Sequence, residues 1–422
     1  MVSRLAIIDL SFTWPPDGGA RTDVREVAIR LARTHDIMLF VPWIEGWAKL
    51  GGKWLRWPLD RTRFFWKGKI SDDVGISITR VPFGPLTFSA KHVGGQFRRV
   101  VEAWNPDHLF IADGWYLKPY VTLALADMRP VVRIYAHEML CLKGNGFFYR
   151  WGKACYRNYL NLKPATHARC VACTSAFYFS YPSPTWIHEF LTSRAYLPSY
   201  PHTVTQALQA ARAVVVYNDF TAQRVRPFSR DVRIVPSGVD TAHFKAANGG
   251  PKHEGKKVIL AMGRVEEPRK GLKVLLKACR VLRAKRNDFE LWLTKKSSTS
   301  SDWIRPLGWW PYQKMPELYS QVDIAVVPSL WPEPHGIVAL EAMACGVPTV
   351  VSKIGGLMEL CRDGVDGFQV EPGNAVELAN RLKFLLDDST LRREVGNRGR
   401  TTVERRFTWD RIVSEEVAPL FA

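Results

Sequence analysis

Two successive alternations of short apolar runs with stretches of helical spacing constrain the fold of this 422-residue chain more than any other feature. In the first, Leu5 to Leu10 reads as a strand, Thr22 to Arg33 carries Val24, Val27, Ala28 and Leu31 at helical spacing, and Ile37 to Val41 reads as the next strand. Strand, helix, strand at this length predicts a parallel α/β sheet. Strand candidates continue at His108 to Ala112, Val131 to Ala136, Ala213 to Tyr217 and Val232 to Pro236. An aromatic insertion from Met139 to Tyr200 reads as helical in parts. The second alternation starts afresh at Lys257. Val258 to Met262, Glu290 to Leu293, Ile324 to Val327 and Thr349 to Val351 read as strands, and Leu272 to Ala284 and Ile337 to Cys345 as helices. The expected fold class is α/β, with two doubly wound Rossmann-like domains facing across a cleft. The polar, Gly-rich stretch 246–255 is the expected seam. Ligands of such sheets lie beyond the carboxyl ends of the strands, so the cleft is the expected active site.

Charge narrows the function classes. The chain carries 59 Lys and Arg against 40 Asp and Glu, a net charge of +19. Residues 1–235 hold 31 of these cations and 17 of the acids, net +14, so the excess sits in the N-terminal part. There Trp43, Trp47, Trp54, Trp57, Phe64, Phe65 and Trp66 interleave with basic residues over 43–69. That mixture suits an anionic membrane surface or an anionic or glycan acceptor, and equally a solvated loop whose aromatics fold back. Nucleic acid is not an expected partner, because no groove-entering motif or stacking platform accompanies the charge. No run of about 18 apolar residues predicts a membrane-spanning helix. The opening residues read as a first strand and not as a signal peptide. Seven cysteines, with Cys170 and Cys173 as a lone C-x-x-C, read as free thiols in a reducing, cytoplasmic compartment.

The segment from Pro328 to Pro348 carries the most chemistry. A strand ends near Pro328, a Pro-rich loop follows, and Gly336 opens a helix that Gly346 and Pro348 close. Glu333 then lies on the loop and Glu341 about one and a half turns into the helix. Two carboxylates at one sheet edge can bond separate hydroxyls of an extended ligand, and the backbone N–H groups near Gly336 and Ile337 add an anion- or hydroxyl-binding surface. Glu341 stands among apolar neighbours, so its charge needs a buried partner. A second cluster, Gly263-Arg264 and Lys270-Gly271, follows a strand and precedes a helix, which places two cations where a diphosphate can rest.

On these residues the chain resembles the family 4 glycosyltransferases of the GT-B fold. Their Glu-x7-Glu motif matches Glu333 through Glu341, their Gly-Arg and Lys-Gly elements match Gly263-Arg264 and Lys270-Gly271, and their Gly-Gly then Glu matches Gly355-Gly356 and Glu359. Pro236-Ser-Gly-Val-Asp240 is similar to their Pro-Asn-Gly-Val-Asp, with Ser237 in place of Asn. Gly18-Gly19 resembles their glycine loop, His137 their active-site histidine, and Phe407-Thr-Trp-Asp410 the start of a terminal helix that crosses back to the first domain. The resemblance implies domains over 1–235 (acceptor side) and 236–405 (nucleotide-sugar donor side), with the terminal helix over 406–422.

It further implies retaining transfer of a sugar from a UDP- or GDP-sugar, the co-substrate, to a glycan, lipid-linked or other hydroxyl acceptor. His137, Arg264, Lys270 and Glu333 form the implied catalytic set. Gly18, Gly19, Gly263, His335, Gly336, Ile337, Val338 and Glu341 join Arg264, Lys270 and Glu333 at the donor. Glu341 would bind the ribose hydroxyls, Glu333 the transferred sugar, and Arg264 and Lys270 the diphosphate. No Asp-x-Asp pair is present, and neither a metal nor another cofactor is expected. The loop reads Glu333-Pro-His335-Gly where Glu-Gly-Phe-Gly is commoner, and 294–302 is short and Ser/Lys-rich; both departures bear on donor identity. A sugar-nucleotide epimerase of the same fold and a non-catalytic carbohydrate- or membrane-binding protein are the alternatives, as is a peripheral position at the inner face of a membrane for the localisation.

Overall fold

The structure, a computed structural model, describes residues 2–13, 18–44, 75–84, 86–143, 149–150, 152–161, 163–180, 183–245, 255–294 and 301–422. Most of the aromatic and basic stretch over 43–69 lies outside these residues, as does most of the 246–255 seam. The chain forms two compact units. The first holds Met1–Phe148, Tyr156–Val235 and Val413–Ala422; the second holds Tyr149–Cys155 and Pro236–Ile412.

In the first unit, β1 (Ser3–Ile8), β2 (His35–Ile44), β3 (Ser77–Phe83), β4 (His108–Ile111) and β5 (Val131–Arg133) precede β8 (Ala213–Val216) and β9 (Val232–Ile234). A two-residue hairpin, β6 (Tyr149–Arg150) and β7 (Lys153–Ala154), intervenes and belongs to the second unit. The seven strands form one parallel sheet in the order β3-β2-β1-β4-β5-β8-β9. Leu5 to Ile8 and Val214 to Val216 are fully buried, the continuous apolar signature of strands covered on both faces. Helix α1 (Gly19–Leu31) packs Val24, Val27, Ala28 and Leu31 inward, and α2 (Val93–Trp104) and α3 (Lys118–Ala124) follow. The aromatic insertion contains α4 (Pro164–Ser180) and α5 (Pro184–Thr192), and α6 (Tyr200–Ala210) and α7 (Asp219–Val225) flank β8. The strand expected over Val131 to Ala136 stops at Arg133 because the backbone N–H groups of Tyr135 and Ala136 donate to the Glu138 carboxylate instead of to a neighbouring strand.

The second unit runs β10 (Lys257–Ala261), α8 (Leu272–Arg283), β11 (Phe289–Leu293), β12 (Ile304–Pro306), α9 (Met315–Ser320), β13 (Ile324–Val327), α10 (Ile337–Ala344), β14 (Thr349–Ser352), β15 (Phe368–Val370), α11 (Ala375–Asp387), α12 (Ser389–Arg406) and α13 (Trp409–Ile412). Its six strands are parallel in the order β12-β11-β10-β13-β14-β15. The terminal segment passes to the first unit at Val413. Before that point the Trp409 indole packs so closely over Gly238 that a Cβ there would meet it at 2.6 Å.

Both sheets reverse strand order once, between β1 and β4 in the first and between β10 and β13 in the second. At such a switch point the two flanking loops diverge and leave a crevice at the carboxyl ends of the strands.

Candidate functional site

The loops after β10 and β13 meet at the switch point of the second sheet. After β10 the chain passes Gly263 and Arg264, makes a single 3-10 turn at Pro268–Lys270, and enters α8 through Gly271. After β13 it passes Pro328 to His335 and enters α10 through Gly336. The Leu330 backbone N–H donates to the Arg269 carbonyl at 2.8 Å, which zips the two loops together. Gly271 makes the zip possible: its φ is +76°, and a Cβ would stand 1.8 Å from the Pro328 carbonyl oxygen. The far side of the Glu333 loop rests on Gly355-Gly356, where the Gly356 N–H donates to the Glu333 carbonyl at 2.8 Å and a Cβ on Gly355 would meet the same backbone at 2.6 Å.

This backbone brings Lys270 and Glu333 together. Lys270 Nζ donates to Glu333 Oε1 at 2.7 Å, and Ser329 Oγ donates to the same oxygen at 2.5 Å. Glu333 is buried, and burial works against its charge. The Lys270 ammonium, the Ser329 hydroxyl and the Arg269 guanidinium outweigh that and hold its carboxyl below the usual range. Glu341 has the opposite surroundings. It is buried in α10, burial pushes its pKa up to about 8, and the Tyr319 hydroxyl, whose one proton is shared between Oε2 at 3.2 Å and the Val338 carbonyl, works against the rise. The buried partner expected for Glu341 is a hydroxyl, and burial favours the uncharged form of its carboxyl at pH 7.

The other expected donor-side residues surround this pair. Gly263 and Val338 line, with Lys270 and Ser329, a small pocket. The Gly263 carbonyl accepts from the Thr294 hydroxyl at 2.9 Å, and the Val338 carbonyl from the Tyr319 hydroxyl at 3.0 Å. Arg264 reaches Glu267 at 3.8 Å with its guanidinium half-exposed. Ile337 opens α10, and Gly336 before it has φ +109°. His335 is buried, with Nε2 3.0 Å from the Ser237 carbonyl and its ring edge-on to Phe407 at 6.0 Å. A carbonyl only accepts, so Nε2 carries the proton, and His335 ties the Glu333 loop to the Pro236-Ser237 segment.

Gly18, Gly19 and His137 belong to the first unit. Gly18 caps α1 with open space around it, and Gly19 is the first residue of that helix, after β1. His137 is buried at φ +62°, a conformation uncommon for a residue with a Cβ, and Nδ1 lies 3.0 Å from the Thr221 hydroxyl. Strain of this kind is tolerated where surroundings over-determine it, and functional sites are where it gathers. Beside it the Lys118–Glu138 ion pair is fully buried at 2.8 Å. Among the described residues, no group of three or more His, Cys, Asp or Glu is placed to hold a metal ion. No helix there is long and apolar enough to cross a membrane, and no disulfide joins the described cysteines.

Ser329, Tyr319 and Arg269 complete the site, and sequence reasoning passed over all three. Ser329 sits four residues before Glu333, and Arg269 is adjacent to Lys270, so proximity in the chain was a usable signal for both. Tyr319 lies in α9, and nothing in the sequence ties it to Glu341.

Residues 256–388 match the family model described as Glycosyl transferases group 1, which spans the Lys270 turn, the Glu333 loop and α10. The chain is 31% identical to an uncharacterized glycosyltransferase of Methanocaldococcus jannaschii over 48% of this chain and 52% of that protein. It is 33% identical to a D-inositol 3-phosphate glycosyltransferase of an Arthrobacter species over 43% of this chain and 48% of that one. The chain thus spans about half the length of these relatives. Among solved structures, sucrose-phosphate synthase of Thermosynechococcus elongatus superposes with a TM-score of 0.68 at 19% identity over 99% of this chain and 98% of that one. HepE of Anabaena, solved with UDP and glucose, gives 0.64 at 17% identity over 99% of both. These likenesses show the fold: two Rossmann-like parallel-sheet domains of the GT-B type.

Proposed function

We propose that the chain is a glycosyltransferase that moves a sugar from a nucleotide diphosphate sugar to a hydroxyl acceptor, with the donor in the second unit. The observation that carries this reading is the Lys270–Glu333 pair, 2.7 Å apart at the switch point of the second sheet, with Glu341 buried on the helix that follows. In the proposed complex Lys270 and Arg264 neutralise the diphosphate as its charge grows on bond cleavage, which is where fixed cations lower a barrier most. Those two side chains, and no metal ion, carry the neutralisation in this reading. Glu333, held ionised, accepts hydrogen bonds from hydroxyls of the transferred sugar. Glu341 pairs with ribose hydroxyls, and its uncharged form can donate as well as accept. His137 serves the transferred sugar or the incoming hydroxyl.

The anomeric configuration is retained in this reading, the acceptor belongs to the basic first unit, and the donor base is that of UDP or GDP. The solved complex of HepE with UDP and glucose, and relatives named phosphatidyl-myo-inositol mannosyltransferase and MMP alpha-(1->4)-mannosyltransferase, support a nucleotide-sugar donor and a polyol, glycan or lipid-linked acceptor. Incubation with UDP-, GDP- and ADP-sugars, read by thermal shift and donor hydrolysis, tests the donor assignment. One nucleotide is expected to stabilise the wild type, with Lys270→Ala weakening it about tenfold or more, the loss of one charge-assisted contact. A flat response of the wild type to all three, or an unchanged response in Lys270→Ala, sinks the reading. Attachment to an anionic inner-leaflet surface is part of it too, and co-sedimentation with anionic vesicles is expected to fall as salt rises.

A further inference from the structure

Two cations stand side by side in the turn that leads into α8, and Lys270 is bonded to the Glu333 carboxylate. Arg269, 8% exposed, pairs with Glu267 and lies with Cζ 4.3 Å from the centre of the Trp331 ring. Lys270 Nζ is 5.5 Å from the same ring. Trp331 is itself buried, two residues before Glu333 on the same loop. Between these residues the Leu330 N–H holds the Arg269 carbonyl. The turn with the ammonium and the loop with the carboxylate are therefore joined by a backbone hydrogen bond, an ion pair, and one indole in reach of both cations.

Neighbouring like charges repel, and an ammonium on a four-carbon stem has many rotamers to lose. An indole answers both problems. Its negative π-face attracts each cation without taking a hydrogen-bond donor from either, and the attraction grows where water is excluded. We propose that Trp331, with Arg269 seated on it, is a positioning residue: its indole sets where the Lys270 ammonium stands relative to the Glu333 carboxylate. Arg269 adds its positive charge to the field at Glu333. The geometry stands by itself, and its consequence for a donor diphosphate rests on the function proposed above.

A double-mutant cycle in the full chain tests the geometry without any nucleotide. Lys270→Ala and Glu333→Ala are combined, and urea midpoints are read in three backgrounds. In the wild-type background the two changes are expected to be clearly non-additive, as for any pair in contact. The coupling is expected to vanish in Trp331→Leu and to survive in Trp331→Phe, which keeps a π-face. Because Trp331→Leu opens space in a buried site, the same cycle is run in Arg269→Met, where the indole remains; the coupling is expected to shrink and to return in Arg269→Lys. Coupling that persists unchanged in Trp331→Leu, or in Arg269→Met if the former does not fold, overturns the proposal. A second arm takes whichever of UDP, GDP or ADP stabilises the wild type and expects its affinity to fall about tenfold in Trp331→Leu but less than threefold in Trp331→Phe. If none of the three stabilises the wild type, the donor assignment falls while the cycle still decides the role of Trp331.

Discussion

Glu333 and Glu341 are the same residue type, eight positions apart at one sheet edge, and their surroundings push their proton affinities in opposite directions. Glu333 has an ammonium at 2.7 Å; Glu341 has a phenol at 3.2 Å. Environments that split two carboxyls in this way assign them different roles, one as a charge and one as a neutral hydrogen-bonding group. The split is measurable through stability. The folded pKa of Glu341 is raised from 4.5 to about 8, so its contribution is fully present below about pH 4.5 and is lost as pH rises through 8. Wild type should therefore lose stability relative to Glu341→Gln between pH 5 and 9, by an amount on the order of 4 kcal/mol at most. Urea denaturation at four or five pH values reads this directly, and parallel profiles for the two proteins would remove the neutral-acid assignment.

At the scale of elements, the site depends on two loops being pressed together, and glycines mark where the pressure falls. Gly271 and Gly263 both have positive φ, but only Gly271 faces a backbone oxygen at 1.8 Å; around Gly263 there is nothing within 4 Å. Gly263→Ala is expected to cost only the conformational strain, about 1–2 kcal/mol. Gly271→Ala adds a displacement of the Lys270 turn from Pro328 and should cost several kcal/mol, with loss of the Lys270–Glu333 contact. Equal urea midpoints for the two variants would show that the loops are not zipped. The Lys270-Gly271 and Glu333–Glu341 motifs were legible in the sequence because local patterning places them: strand, turn signal, helix. The central strands were legible for the same reason, since a strand buried on both faces must be apolar throughout. The edge strands β3, β12 and β15 escaped, because a partly exposed edge tolerates Arg80, Pro82, Arg305 and Gln369 and so breaks the apolar run. Tyr319 escaped for a different reason: it reaches Glu341 through tertiary packing of α9, which no local spacing encodes.

For the whole molecule, the opposed terms are a net charge of +19 and a set of buried carboxyls that resist ionising. Burial, with Asp113 nearby, raises Asp9 to about 7; burial raises Glu189 to about 7; Glu341 stands at about 8. Each folded pKa lies above its unfolded value, so all three favour the folded chain at low pH and the benefit drains away as pH passes from about 4 through 8. Ionising them also adds negative charge to a basic protein, which relieves self-repulsion and acts in the other direction. The magnitudes decide between the two. At physiological ionic strength the Debye length is about 8 Å, so repulsion spread over the surface is largely screened. A shift of one unit at a buried group still carries about 1.4 kcal/mol. Burial should win: the melting temperature is expected to fall between about pH 5 and 8 and to level off above that. Asp9→Asn and Glu189→Gln should each flatten that fall in proportion, so long as the variant folds. Moderate salt should raise the melting temperature at every pH by relieving the repulsion, without removing the slope. A melting temperature that instead rises from pH 5 to 8 at low salt, and loses that rise in 1 M salt, would assign the pH dependence to relief of the +19 repulsion and not to the buried carboxyls.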